Sequence, residues 1–344
     1  MSSSELINRP GNSAISTLHQ VARMAAVSPA TVSRYLNGTA KVSEEKRSAI
    51  ERAILELNYK PNQLAQSLKM GNSHTIGVLT QSLVSGYFNE AMTGIEDVMK
   101  GAGYAPLIMS GHWRADQEAE RVELLIGRRV DGVVILTGNM TDSQILSFAQ
   151  RVPIVAFGRQ LKSERMLGFC LDNYEAACQA VGYLIDQGHR RIAFIAGPPD
   201  HFDAQARLAG YLNTLARHGI AADPALVAQG DFQESGGLAA VEELLVAGAS
   251  FSALFAANDL MAFGARLALY RRAIAVPDDV SIVGFDDVPG SMYTTPPLTT
   301  IRQPLYDVGR CIGQMMLCLI RHQEPDMPVP PMSLILRESV RRLN

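Results

Sequence analysis

Two groups of residues in this 344-residue chain have the chemistry to recognise a partner, and neither has the pattern of a catalytic centre. The first consists of polar groups placed just beyond apolar runs. Arg159 follows 152–158, Asn258-Asp259 follows 253–257, Asp286-Asp287 follows 281–285, and Arg207 opens the segment Arg207-Leu208-x-Gly210-Tyr211. Carboxylate, amide and guanidinium groups together supply the paired hydrogen bonds that a polyhydroxylated ring requires. Phe88 and Phe232 offer flat faces against which such a ring can stack. The second group lies near the N-terminus. There Arg34 can donate two hydrogen bonds to a guanine edge, and Ser28, Thr31, Ser33 and Asn37 suit phosphate oxygens. Pro29 and Ala30 beside them read only shape or a thymine methyl.

Other chemistry is not indicated. The chain contains no P-loop, zinc-protease, nucleophile-elbow or dinucleotide glycine pattern. Its seven histidines are scattered, and Cys170, Cys178, Cys311 and Cys318 form no C-x-x-C pair. We therefore expect no catalytic residue, no metal and no cofactor, with the cysteines acting as small buried hydrophobes in a reducing cytoplasm. A glycosidase built on Asp286 would need a second acid at suitable spacing, and none stands out. No apolar run is long enough to span a bilayer, and the first residues do not read as a secretion signal.

Elements that must hold these groups follow from pattern. Net charge is −3, yet it divides unevenly: residues 1–70 hold nine Lys and Arg against five Glu and no Asp, and the remainder carries −7. A basic module is joined to an acidic one near residue 70. In the basic module, Thr17 and Gln20 have capping-box spacing ahead of the stripe Leu18, Val21 and Ala22. Ser28-Pro29 starts a second helix, which stops at Asn37-Gly38. Only about four residues separate the two, the geometry of a helix-turn-helix. A third helix from Ser43-Glu44-Glu45 would close the core with Ile50, Ile54 and Leu57. Beyond residue 74, apolar runs at 75–80, 105–110, 130–136, 152–158, 191–197, 253–258 and 280–285 alternate with helical intervals. That alternation predicts doubly wound parallel sheets, and the number of runs fits two lobes.

The motifs Thr17-Leu18-x-x-Val21-Ala22, Val27-Ser28-x-x-Thr31-Val32-Ser33-Arg34-x-Leu36-Asn37-Gly38, Val42-Ser43 and Leu57-x-Tyr59-x-Pro61-Asn62 resemble the LacI/GalR family of bacterial transcription regulators. The chain departs from the pattern at Gln20, where an acid is usual, at Ala26, in place of a turn glycine, and at Tyr35, in place of an aliphatic. The resemblance implies an all-α helix-turn-helix headpiece at 15–60 after a disordered lead-in at 1–14. It implies a hinge helix and linker at 61–73 and a two-lobed α/β core of the type I periplasmic-binding-protein kind at 74–344. The N-lobe would take about 74–172 and 303–332, the C-lobe about 173–302 and 333–344, with crossovers near 171–173, 299–303 and 330–334. Asn62, Ala65 and Leu68 would belong to the hinge, Leu68 wedging into the minor groove of the operator. Leu68→Ala is then expected to weaken operator binding far more than binding to random DNA; equal losses in salt-matched titrations would contradict this.

The resemblance also places effector contacts on Phe88, Arg207, Phe232, Asn258, Asp286 and Gln303, and less firmly on Arg159 and Asp172. The partners expected are a pseudo-palindromic double-stranded DNA operator and a small-molecule effector, a sugar or sugar acid. A purine or phosphorylated-sugar corepressor is the alternative, since Tyr87-Phe88 and Gly230-Asp231-Phe232 are similar to the purine-sensing branch, although His201 stands where that branch carries an arginine. A solute-binding protein for transport shares the core but not the headpiece. The last segment shows no heptad repeat, so a homodimer is expected.

Overall fold

The computed structural model describes residues 16–36, 41–60, 72–83, 86–325 and 327–343, which fall into two compact units, one ending at Ser73 and the other starting at His74. Asn37, Asn62, Ala65 and Leu68, together with the lead-in, lie outside the described residues.

The first unit contains α1 (Leu18–Met24), α2 (Pro29–Leu36) and α3 (Glu44–Glu56). The capping box forms as its spacing predicts: the Gln20 amide donates to the Thr17 hydroxyl, and the Thr17 amide donates to Gln20 Oε1 at 2.7 Å. Ser28 caps α2 by accepting from the Thr31 amide at 3.1 Å. Val21, Ala22, Ala25, Val32, Ile50, Ala53 and Tyr59 form the buried core, while Ile54 and Leu57 pack partly buried against it. The aromatic ring of Tyr35 is accommodated because its hydroxyl donates to Glu51 at 2.6 Å, and Arg47 donates to the same carboxylate at 2.9 Å.

Ala26 takes φ = +52°, the left-handed conformation that a glycine would adopt without penalty. Alanine there costs about 1–2 kcal/mol; glycine would remove that strain but lose part of the gain, about 0.4–1 kcal/mol, to the greater entropy of its unfolded chain. Ala26→Gly is therefore expected to stabilise the headpiece by about 0.5–1 kcal/mol in thermal unfolding. A lower melting temperature would show that the turn is not strained.

The second unit holds two six-stranded sheets. The first, in order β2-β1-β3-β4-β6-β5, is built from β1 (Thr75–Thr80), β2 (Ala105–Ser110), β3 (Gly132–Leu136), β4 (Ile154–Phe157), β5 (Lys162–Ser163) and β6 (Met166–Phe169). Its strands alternate with α4 (Gly86–Gly101), α5 (Ala115–Gly127) and α6 (Asp142–Ala149). After α7 (Asn173–Asp186), the second sheet, β12-β11-β10-β9-β7-β8, takes β7 (Ile192–Ala196), β8 (Val227–Gln229), β9 (Ala253–Ala256), β10 (Ser281–Asp286), β11 (Thr299–Arg302) and β12 (Ser333–Ile335). Helices α8 (Phe202–Arg217), α9 (Glu234–Val246) and α10 (Asp259–Arg271) lie between its strands, and α11 (Leu305–Ile320) precedes β12. Pairing is parallel except at the edges, where β5 and β12 run antiparallel. The central strands are apolar along their whole length because helices cover both faces; all of β3, β4, β7 and β9 is buried.

Residues 299–302 form β11, paired in register with β10 from Val283↔Thr299 to Asp286↔Arg302. Thr299-Thr300-Ile301-Arg302 holds a single aliphatic residue, too little to read as a strand from sequence. The chain then passes through Gln303 into α11, which returns to the first sheet and packs on α4. Two glycines permit that approach. A Cβ on Gly94 would run into the Tyr306 carbonyl, and one on Gly309 would run into the Ala91 carbonyl. Among the described residues, no helix is long and apolar enough to cross a membrane.

Candidate functional site

On the headpiece, Ser28, Ala30 and Arg34 are exposed, and Pro29, Thr31 and Ser33 are half-buried. All stand on α2 or at its start, with Val32 turned into the core. The Ser28 hydroxyl is already engaged with the Thr31 amide and hydroxyl, so it orders the helix start as well as facing outward. Arg34 folds back to donate to the Ala30 carbonyl at 3.3 Å. Arg34 thus stands on the exposed face one turn beyond Ala30.

In the second unit, the carboxyl ends of the strands of both sheets border one cleft, where ligands bind in open α/β sheets. Its inner half is a cavity of about 720 Å³ reached by Phe88, Arg207, Phe232, Asn258 and Asp286. Arg207 is buried, because α8 carries it beneath the cleft floor. Its Nε donates to Asn173 Oδ1 at 2.9 Å, its Nη1 donates to the Ala257 carbonyl at 2.5 Å, and its guanidinium lies 3.7 Å from the centre of the Phe285 ring. Nη1 stands 3.8 Å from Asp286 Oδ1. Gln303, also buried, donates to that oxygen at 2.7 Å and accepts from the Tyr87 hydroxyl at 3.1 Å. Tyr87, Gln303, Asp286, Arg207, Asn173 and Asp203 therefore form one polar chain from the first lobe into the second, which Asn173 completes by donating to Asp203 at 2.9 Å. Asp286 holds φ = +115°, a conformation costly for a side chain with a Cβ and of a kind that collects at functional sites.

Asn258 caps α10 by accepting from the Met261 amide at 2.9 Å, and it donates to the Phe232 carbonyl at 3.0 Å. It thereby fixes Phe232, whose φ is +66°. Phe88 and Phe232 form an aromatic wall with Trp113 and His201, whose ring centres lie 5.3–6.4 Å apart in sequence around the wall. Arg159 stands in the outer half of the cleft, a cavity of about 1030 Å³. It donates to the Gly138 and Met140 carbonyls at 2.7 and 2.9 Å, and its guanidinium lies 4.9 Å from the Phe202 ring centre.

Asp172 does not line the cleft. It is exposed, and its carboxylate caps α7 by accepting from the Glu175 amide at 2.9 Å. The neighbouring Asn173 is the residue that reaches Arg207, since the helix start turns alternate side chains to opposite sides. Asp287 is likewise an anchor, gripped by Arg302 and Arg337 at 2.6 Å each.

Burial pushes the Asp286 carboxyl up to about 8, outweighing the lowering by Arg207, and it pushes Asp259 up to about 7 against hydrogen bonds from Ser291, Thr300 and the Val288 amide. Both groups ordinarily titrate at 3.8, so between those limits the folded chain holds protons that the unfolded chain has released. Their contribution to stability is full below about 4 and drains away as pH rises through 7 to 8. The melting temperature is expected to fall from pH 5 to pH 8.5, and Asp286→Asn to shrink that fall. An unchanged pH profile in the variant would contradict the assignment.

Trp113 was not legible as a site residue, although it follows β2 and the same strand-end rule reaches it. Its support is a buried pair on the first lobe. Gln81 accepts from the Trp113 amide at 2.8 Å and donates to the Thr137 carbonyl at 3.0 Å. Glu118, fully buried, accepts from the Asn139 amide at 2.8 Å and the Met140 amide at 2.9 Å. Together they hold the loop that walls the outer half of the cleft.

A three-helix DNA-reading unit followed by a two-lobed α/β core with a cleft at its strand ends defines a ligand-sensing regulator rather than a transport protein. Comparison with known proteins agrees. Residues 17–62 match the description "Bacterial regulatory proteins, lacI family", and 181–340 match "Periplasmic binding protein-like domain". The chain is 35% identical over 333 residues to the HTH-type transcriptional repressor CytR of Escherichia coli strain K12, covering 95% of this chain and 97% of that one. A crystal structure of the Lac repressor dimer bound to operator and the anti-inducer ONPF superposes with a TM-score of 0.85 at 30% identity, over 95% of this chain and 99% of that one. A transcriptional regulator CelR–cellobiose complex does so with a TM-score of 0.71 at 33% identity, over 94% and 99%. The chain belongs to the lacI family of bacterial regulatory proteins and is a DNA-binding transcription regulator.

Proposed function

We propose that this protein is a cytoplasmic, non-enzymatic homodimeric repressor whose operator affinity is set by a neutral sugar bound between the core lobes. The observation that carries the choice of ligand is the charge of the cleft. Its walls hold Asp142, Asp200, Asp203, Asp231, Glu234 and Asp286 against Arg159 and Arg207, with no lysine among the described lining residues. Even with Asp286 protonated, acids outnumber arginines, and a field of that sign repels phosphate and carboxylate. The balance argues against the sugar acids and phosphorylated sugars expected from the sequence. Arg207, Asp286 and Asn258 remain as groups able to pair with vicinal hydroxyls, and the aromatic wall offers a face for a pyranose. The cellobiose in the CelR complex is a neutral sugar and supports the same reading for this chain.

A purine is the second reading, favoured by the four rings of Phe88, Trp113, His201 and Phe232, which would suit a flat base. Effector contacts fall on Phe88, Arg207, Phe232, Asn258, Asp286 and Gln303, with Arg159 in the outer half. DNA contacts fall on Ser28, Pro29, Ala30, Thr31, Ser33 and Arg34, and on Asn37, Asn62, Ala65 and Leu68 outside the described residues. Core boundaries near residue 74 and exchange of lobes near 172 and 303 accompany this assignment. A thermal-shift screen of sugars, sugar acids, sugar phosphates and purines tests it: stabilisation by a neutral sugar alone is expected, and stabilisation by an anionic sugar or a purine alone would refute it.

A further inference from the structure

The end of the first lobe away from the cleft is basic, although the chain beyond residue 70 sums to −7. The strands of the first sheet begin at that end, and the helices between them finish there. Strand register brings the pieces together: Ile76 pairs with Gly132 and Thr75 with Ala105, so the segments ahead of β2 and β3 flank His74, where the core begins. Lys100 in the last turn of α4 and Arg128 and Arg129 just past α5 lie on those segments, and all three are exposed. Arg321, also exposed, joins them at the end of α11, whose Met316 packs where Gly132 opens β3.

None of these four cations makes an ion pair or a side-chain hydrogen bond among the described residues. The nearby acids are engaged or peripheral. Asp131 accepts from the His74 amide at 2.8 Å, Asp97 from the Tyr306 hydroxyl at 2.9 Å, and Glu123 pairs with Arg151 at 2.6 Å. Glu164 stands in the turn between β5 and β6 at the sheet edge, and Glu324 follows α11. Glu96, one turn before Lys100, does not pair with it. A positive face is left uncompensated on an acidic body, which marks it for a polyanion. We propose that this face is a second DNA-contacting surface, meeting backbone phosphates of the same duplex that the headpiece reads. Duplex DNA is the polyanion this chain already binds, and residues 61–71, which join the two units, span at most about 40 Å when fully extended. Bound DNA is thereby tethered within reach of the core at high effective concentration. Cations at helix ends and strand starts neutralise phosphates without reading base edges, so the contact is independent of sequence. The proposal rests on DNA binding alone and not on the choice of effector.

Titration of the full-length protein on two probes tests this: a duplex that the protein itself selects from randomised sequence, and a random-sequence duplex, each at salt from about 0.05 to 0.2 M. Arg128→Ala with Arg129→Ala is the first variant, and Lys100→Ala with Arg321→Ala the second. The two pairs lie on different segments, so a folding fault in one leaves the other to decide. Arg271→Ala with Arg272→Ala, exposed at the end of α10 on the second lobe, removes the same charge elsewhere as a control. Each basic-face pair is expected to lower the slope of log affinity against log salt by about two per engaged core, and to lose roughly tenfold in affinity at the low-salt end, equally on both duplexes. The control pair should change neither. A reduced slope in either basic-face pair alone still places phosphate on that side of His74. An unchanged slope in both overturns the proposal, and is the result that an acidic protein partner for this face would give. A loss confined to the selected duplex, or an equal loss in the control, overturns it as well.

Discussion

Arg207→Ala is expected to abolish the response of operator binding to effector while operator binding itself survives. The guanidinium is buried and satisfies three partners at once: Asn173, the Ala257 carbonyl and the carboxyl of Asp286. Removing it takes away the cationic donor proposed for the ligand and also leaves the buried Asp286 carboxyl without its arginine. Each charge-assisted hydrogen bond that this guanidinium would donate to a ligand is worth about 1.5–3 kcal/mol, roughly tenfold or more in affinity. The Asp286 carboxyl limits the damage to the fold, because burial already favours its protonated form. We therefore expect a folded protein with a lower melting temperature and no detectable effector titration. Gel shifts across an effector series read the effect directly. An unchanged dose–response would show that Arg207 is structural only.

The second large effect lies on the headpiece. Arg34→Ala is expected to weaken specific operator binding by about 1–3 kcal/mol per headpiece and to relax base preference at one position of each half-site. Binding to random DNA should change little, because phosphate contacts carry it. The stability of the headpiece should also be nearly unchanged, since Arg34 is exposed and its bond to the Ala30 carbonyl is a surface bond. Equal losses on operator and random DNA would instead make Arg34 a phosphate contact.

Much of this is legible in the sequence. The capping box of Thr17 and Gln20, the turn at Ala26 and the alternation of apolar runs with helices are local signals, and local signals survive in a sequence. The short strands β11 and β12 were not legible, because polar residues break their apolar runs, whereas the equally short β4 and β9 are apolar throughout. The site was legible in part for a related reason. Asp286 ends an apolar run, where the strand-end rule looks, and Arg207 opens a segment the resemblance marks. Asn173 and Glu118 act through burial and long-range pairing, at separations of 34 residues for Asn173 with Arg207 and 21 for Glu118 with Asn139. No local pattern encodes those distances. Asp172 was misplaced by one residue for the same reason: at a helix start, adjacent positions divide between cap and core.

The polar chain from Tyr87 through Gln303, Asp286 and Arg207 to Asn173 gives the cleft a means of reporting its state. It joins both lobes and includes Asn173 and Gln303, which sit where the chain passes from one sheet to the other. A ligand that takes hydrogen bonds from Arg207 and Asp286 must alter this chain, and any difference in its affinity for two lobe arrangements appears as coupling to DNA. Such coupling is typically about 1–3 kcal/mol.

Operator affinity measured with and without a saturating neutral sugar, at fixed salt, tests the account most directly. The predicted result is a change of about 5–150-fold in either direction, absent in Arg207→Ala. A neutral sugar that binds the core stoichiometrically yet leaves operator affinity unchanged would contradict it.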